Sequence, residues 1–449
     1  MRHTYISTML LAAALLSSCD SFLDIAPVGK IIAKTGDEYR QMLTYEYHNF
    51  PEDRGLMTLR GDEMTLSPAA TSAEDYDSYF DLWRWNDDAP NPATASPNWR
   101  RYWHVVYIAN YVIGHQGEIT GVSPAEREQM VGEAYMLRAY CHFLLANIFA
   151  EPYAKTDPAA ARGVPIQLVA DVNAIPACSS LEAVYAQVLA DIAEAQKMLK
   201  VEAWPIGANY RFSSMAAEAL KARVLLYKGD WRGALEAAGN VIAKHGELED
   251  LNAEDSRLPN EYDSKENILA LEEVMTNAYK NVGRPSAWLY DLYRPGDMRR
   301  TRYYKRVTTT NTVLQKGGSN RFACSVRSAE MYLIAAEAAA RLGDDPSAKG
   351  HLTALARHRL NASALENYLE GLAALSGGSL IAEIIDERAR ELAFEGFRWD
   401  DLRRTSQPAL TKTYKGETFT LAGGDPRYTL RFPAEAVEAN PGLEVWPLR

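Results

Sequence analysis

The amino-acid sequence predicts a mostly α protein, with paired helices that build a scaffold and a loop-rich, short-strand face beside it. Three observations carry this. A helix, Gly-Asp, helix arrangement occurs twice: 216–231 leads into 232–242, and 327–344 leads into 348–359. Long runs with apolar residues at helical spacing begin on side-chain caps. Tryptophan and tyrosine also gather in irregular stretches punctuated by proline and glycine. The chain has 449 residues, 47% of them hydrophobic, which is ample for a large core or two packed lobes.

Taken in order, the N-terminus has Arg2 and His3, an apolar run from Met9 to Leu16, then Ser17-Ser18-Cys19. That is a signal peptide over residues 1–18, too short in its apolar part to span a bilayer. Leu16-Ser17-Ser18-Cys19 fits a bacterial lipobox, so Cys19 is expected to be acylated and to anchor the mature chain by lipid alone. Cys141, Cys178 and Cys324 then remain, an odd set with neither a disulfide framework nor zinc spacing. The formal net charge is −11 and no Lys/Arg-rich run appears, which argues against a nucleic-acid partner.

Asp37 to Leu43 reads as a first helix, and Pro51 to Pro68 as irregular chain holding Arg60-Gly-Asp62-Glu-Met64. Tyr76, Tyr79, Phe80 and Trp83 follow at i, i+3, i+4, i+7, the spacing of one helix face. Trp83 and Trp85 alternate instead, as on an extended edge. Asn86 to Pro97 is loop, and Asn98 a plausible N-cap. Ser123-Pro-Ala-Glu126 is a capping box opening a long helix that stops before Pro152. Ser180 starts another helix. Gly229 ends the first helix of the Gly-Asp pair. From Leu251 to Phe322 the chain is mostly loop with short strands, and carries Trp288, Tyr290 and Tyr293 ahead of Arg294–Arg300. In 381–404, Ile381, Ile384, Ile385, Ala389, Leu392 and Ala393 form one stripe, with Gly396 as the expected stop. Arg388 falls on that apolar side, with Glu391 and Glu395 beside it. This pattern is read as a structural ion cluster in preference to acid/base machinery.

The helix, Gly-Asp, helix unit with small residues at its crossing resembles the tetratricopeptide (TPR) repeat. The order of blocks resembles the SusD/RagB family of outer-membrane nutrient-uptake lipoproteins. The blocks are Trp99 with Ala109-Asn110, Glu133–Tyr140, Ala222–Trp231, Ala329–Ala338, Asp386–Arg404, and the tail Phe432-Pro433 with Asn440-Pro441. The resemblance implies one SusD-like domain over 19–449, with an N-terminal part 19–255 and a C-terminal part 256–449. It also implies a lipid-anchored outer-membrane protein facing the exterior, which caps a SusC-like TonB-dependent transporter and helps deliver oligosaccharides. The chain departs from the family at Ala150, where a glycine is usual, and in its shorter length.

Sugar rings present C–H faces that stack on Trp and Tyr while polar neighbours hold the hydroxyls. Trp83, Trp85, Trp288, Tyr290 and Tyr293 are therefore the candidate ligand aromatics, with Asp62 as a candidate hydroxyl acceptor. A glycoside hydrolase needs two carboxylates across a sugar cleft. Glu391 and Glu395 are one turn apart, but the neighbouring Arg388 would keep them ionised. No nucleophile elbow, metal-ligand cluster or phosphate loop accompanies them, so no catalysis, metal or cofactor is expected. A TPR adaptor or peptide-binding lipoprotein is compatible with the same scaffold and would be told apart by its ligand.

Overall fold

The computed structural model describes residues 33–67, 73–309 and 311–444; the expected signal peptide and Cys19 lie outside them. The protein is mostly α, as the sequence predicts. The first helix, α1 (Gly36–His48), opens on a Thr35/Glu38 capping box and outruns its expected end at Leu43. A short α2 (Arg54–Thr58), β1 (Met64–Leu66) and α3 (Ala73–Trp83) follow. Asn98 caps α4 (Trp99–Gly114) by accepting the Arg101 amide, and the Ser123/Glu126 box opens α5 (Pro124–Phe149). A hairpin of β2 (Arg162–Pro165) and β3 (Cys178–Ser180) leads into α6 (Leu181–Met198), capped by Ser180.

The Gly-Asp signature has a local explanation. Gly229, at φ 80°, lets α7 (Ser214–Lys228) terminate, and the Asp230 side chain then accepts the Gly233 amide to start α8 (Trp231–His245). One residue closes a helix and the next opens its partner. Between this pair and its second copy come β4 (Asn267–Leu269), α9 (Asn277–Val282), β5 (Gly283–Pro285), α10 (Ala287–Leu292), α11 (Arg299–Arg302), β6 (Tyr304–Arg306), β7 (Thr312–Leu314) and β8 (Val326–Arg327). The second pair is α12 (Ser328–Arg341) and α13 (Asp345–Ala356), capped by Asp344. Then come α14 (Ala362–Ala374), α15 (Gly377–Glu391), α16 (Arg398–Arg404), the hairpin β9 (Leu410–Tyr414) and β10 (Glu417–Leu421), and α17 (Ala434–Ala439). Helices α5 and α6 pack as a further pair, and α12 contacts α8, α13 and α15. The strands form two-stranded antiparallel ladders only, among the described residues.

Apolar side chains collect in three clusters. One lies among α1 and α4–α8, one among α12–α15, and one under the non-helical face, built from 56–85, 275–314 and 389–428. That third cluster sets the local geometry of 392–396. The stripe there predicts a helix continuing to Gly396, yet α15 ends at Glu391. Phe394 turns to φ 62° and gives its amide to the Glu63 carboxylate at 2.9 Å. Gly396 lies at φ 76°, where a Cβ would stand 2.8 Å from the Arg54 carbonyl oxygen. A tertiary contact with the 54–63 segment overrides the helical period. No described helix is long and apolar enough to cross a membrane.

Candidate functional site

Trp288 and Asp62 are far apart in sequence and are brought together by one ladder. β1 pairs antiparallel with β5, Met64 opposite Pro285, and the Ser286 amide extends the pairing to the Glu63 carbonyl at 2.9 Å. Ser286 then caps α10, which carries Trp288 in its first turn. From the other side, the 392–396 turn delivers α16 and its Arg398. The guanidinium of Arg398 donates to both Asp62 oxygens at 2.7 Å and lies 4.3 Å from the centre of the Trp288 ring. Burial opposes the Arg398 charge, but the hydrogen bond and proximity of Asp62 outweigh it and raise the pKa above the usual arginine value. Trp288 remains 37% exposed, the most accessible of the five candidate aromatics. Asp62 is thus one half of an ion pair, since both its oxygens already accept from Arg398. Arg398 was not among the expected site residues.

The other candidates lie elsewhere. Trp83 and Trp85 are buried, at 0% and 1% exposure, and present no face to a ligand. The Trp83 ring packs against Tyr414 and Phe419 and its Nε1 donates to the Met64 carbonyl at 3.0 Å. Trp85 sits at φ 60°, not on an extended edge, and donates to the Arg60 carbonyl at 2.9 Å. The two indoles enclose the Lys412 amine, 5.2 and 4.2 Å from the ring centres. Burial first, and then nearby Arg60, push that amine well below the usual lysine range. Tyr293 is buried too, its hydroxyl on the Arg390 carbonyl at 2.8 Å. Tyr290 is half-buried, edge-on to Tyr304, with the Arg300 guanidinium 4.7 Å from its ring centre.

The expected cluster of Arg388, Glu391 and Glu395 divides into two. All three are buried. Glu391 accepts from Arg299, Arg327 and Arg359 at 2.7–3.0 Å, and Glu395 from Lys316 and Arg327 at 2.6 and 2.9 Å. Arg388 pairs instead with Asp401, Nε to Oδ2 at 2.8 Å. α15 ends at Glu391, so the helical period that would seat Glu395 near Arg388 is lost, while Glu391 is taken up by Arg299, Arg327 and Arg359. Burial alone would raise the Glu391 carboxyl, but Arg359 and Arg327 hold it well below the usual range. A pair so saturated with cations offers no proton to a leaving group.

A surface cavity of about 280 Å³ opens at the end of α3, lined by Asp77, Phe80, Asp81, Arg84, Ala89, Pro90 and Asn91. Its floor is the half-buried Phe80 ring, with the Arg84 guanidinium 4.7 Å from the ring centre. Asp81 fixes the loop beside it by accepting from Arg84, Asn86 and the Asn91 amide. The Asp81/Arg84 spacing of i, i+3 was the available sequence signal for this site. No group of side chains suited to holding a metal ion occurs among the described residues.

Residues 251–443 match the family model described as the SusD family, and residues 31–226 match one described as starch-binding, associating with outer membrane. A SusD-like protein of Formosa agariphila is 26% identical over 245 residues, 53% of this chain but only 44% of that protein's length. A SusD superfamily protein of Bacteroides thetaiotaomicron superposes with TM-score 0.77 at 20% identity, covering 92% of this chain and all of the other. A laminarin-binding SusD-like protein superposes with TM-score 0.62 at 18% identity, covering 83% and 92%. Matched over most of its length by two models of this kind, and folded as these structures are, the chain belongs to the SusD/RagB family.

Proposed function

We propose that this protein is a cell-surface glycan-binding lipoprotein that caps a SusC-like TonB-dependent transporter and aids oligosaccharide uptake without catalysing a reaction. The observation that carries the reading is the exposed Trp288 indole beside the Asp62–Arg398 pair. An indole face accepts the C–H side of a sugar ring, while the fixed charges next to it hydrogen-bond hydroxyls. The Phe80 cavity adds a concave surface lined by an aromatic ring and by polar side chains. Family membership supports the glycan class, and the family description supports association with the outer membrane. Acylation of Cys19 supplies the anchor, and the transporter-lid role requires the body to face the exterior.

Calorimetry of the soluble chain from residue 20 against a glycan panel tests this. Trp288→Ala is expected to weaken glycan binding at least ten-fold and to leave the melting temperature nearly unchanged. Binding to peptides with no glycan hit would move the ligand to the peptide class. In cells, Cys19→Ala should shift the protein from the outer-membrane fraction to the soluble one; unchanged fractionation would refute the lipid anchor.

A further inference from the structure

The hairpin loop between β2 and β3 carries an unusual surface. Leu168, Val169, Val172 and Ile175 are 44, 67, 78 and 66% exposed, within eight residues of one another. We propose that these four side chains form a rigid aliphatic knob that docks onto the outer-membrane transporter. The inference rests on the lid reading above and assigns a contact surface to it.

The loop is held from inside the molecule, so the knob is not slack chain. Asn110 on α4 donates to the carbonyls of Gln167 and Val169 at 3.0 and 3.3 Å. Its own oxygen accepts from Arg138, which grips Asp191 of α6 through two hydrogen bonds. At the far end of the loop, Asn440 donates to the Pro176 carbonyl at 2.9 Å. A backbone pinned at one end by buried Asn110 and at the other by half-buried Asn440 keeps aliphatic side chains in water. Such a patch, on the order of 400 Å², is the size of the largest apolar patch on a typical monomer, which is often functional.

The chemistry of the loop selects the occupant. Between residues 166 and 177 the single charged residue is Asp171, and its carboxylate accepts the Asn173 amide. There is no Lys or Arg to attract anionic headgroups and no Trp or Tyr to sit at a bilayer interface or stack on sugar. What complements a neutral aliphatic knob is an apolar hollow on another protein. Its area is about half of the roughly 800 Å² per partner that a free-standing complex needs. It therefore suits a partner that shares the membrane and is already at high effective concentration. The chain's path agrees. Thr120, just beyond the end of α4, bonds Lys34 and Gly36 at 3.0 and 2.8 Å, so the tether towards Cys19 joins the body there. Asn110, which holds the knob, lies about one turn before that same end of α4.

The test uses the full acylated chain, co-expressed with a TonB-dependent transporter from a neighbouring gene and co-purified from the outer membrane. The triple variant V169D/V172D/I175D should lower recovery with the transporter at least ten-fold. The soluble triple variant should keep wild-type melting temperature and glycan affinity. Equal recovery of variant and wild type would overturn the knob while leaving the lid intact. Failure of the wild type to co-purify would overturn the lid reading and the knob together. A wild-type soluble dimer that the variant abolishes, or wild-type flotation with lipid-A-containing vesicles that the variant loses, would reassign the surface to a second copy or to the membrane.

Discussion

At the scale of single residues, Trp83 and Trp288 are the same amino acid in opposite situations. Trp83 is closed in by Tyr414, Phe419 and the Lys412 amine, all contributed by a hairpin more than three hundred residues downstream. Deleting its side chain leaves a cavity and removes the donor to the Met64 carbonyl, so Trp83→Ala is expected to cost roughly 3–5 kcal/mol. Trp288→Ala removes a ring that is already over a third in water, and should cost about 1 kcal/mol or less. Urea denaturation of the two variants side by side checks the contrast. Equal losses would mean that Trp288 belongs to the core and not to a site. Sequence could not separate them, because burial here depends on which distant hairpin covers each aromatic. Spacing alone pointed the right way for Trp83, which lies on the helical stripe of α3. Trp288 and Asp62 were visible as candidates, but the Arg398 that joins them was hidden inside the family's marker block.

At the scale of elements, legibility follows how local the cause is. The caps at Asn98, Ser123, Ser180 and Asp230 are set by residues within one turn, and each was readable. The end of α15 is set by Glu63 and Arg54, from the other half of the chain, and the helical pattern ran past it. This makes Gly396 a sharp test of the element. Gly396→Ala meets both a left-handed backbone and the Arg54 carbonyl, and should destabilise by roughly 2–4 kcal/mol. A loss near that of an exposed mid-helix substitution would show that the turn relaxes. The ion network gives a second comparison. Glu391→Ala strips a shared acceptor from Arg299, Arg327 and Arg359, and is expected to cost roughly 3–5 kcal/mol. Arg388→Ala should cost less, since Asp401 keeps Arg404 as a partner. The reverse order in chemical denaturation would place the structural weight on the Arg388 side.

At the scale of the whole molecule, the junction of the two halves of the chain has a signature in the pH dependence of stability. Glu63 lies in that junction, one oxygen on the Phe394 amide and the other without a partner, with Asp62, Arg398 and Lys316 around it. Burial raises its carboxyl from 4.5 to about 8, against the lowering effect of the Phe394 hydrogen bond. Burial likewise raises Asp53 and Glu52 to about 7. A carboxyl raised on folding binds more protons in the native state between its two pKa values, so its contribution is complete at the acid end and is lost as pH rises. His142 acts in the opposite sense. Burial lowers it from 6.5 to about 3, so its contribution is complete above 6.5 and is lost as pH falls. Above pH 6.5 the histidine no longer opposes the carboxyls, and Glu63 alone should remove on the order of 2 kcal/mol between pH 6.5 and 8, while Lys412, held low by burial, acts in the opposite sense. Glu63→Gln keeps an acceptor for the Phe394 amide and has no proton to lose. Thermal melts across pH 6.5–8 should therefore show this variant gaining steadily on the wild type as pH rises, with the two converging near pH 5. Parallel curves over the whole range would mean that Glu63 is ionised in the folded protein, and that water reaches the joint between β1 and the 392–396 turn.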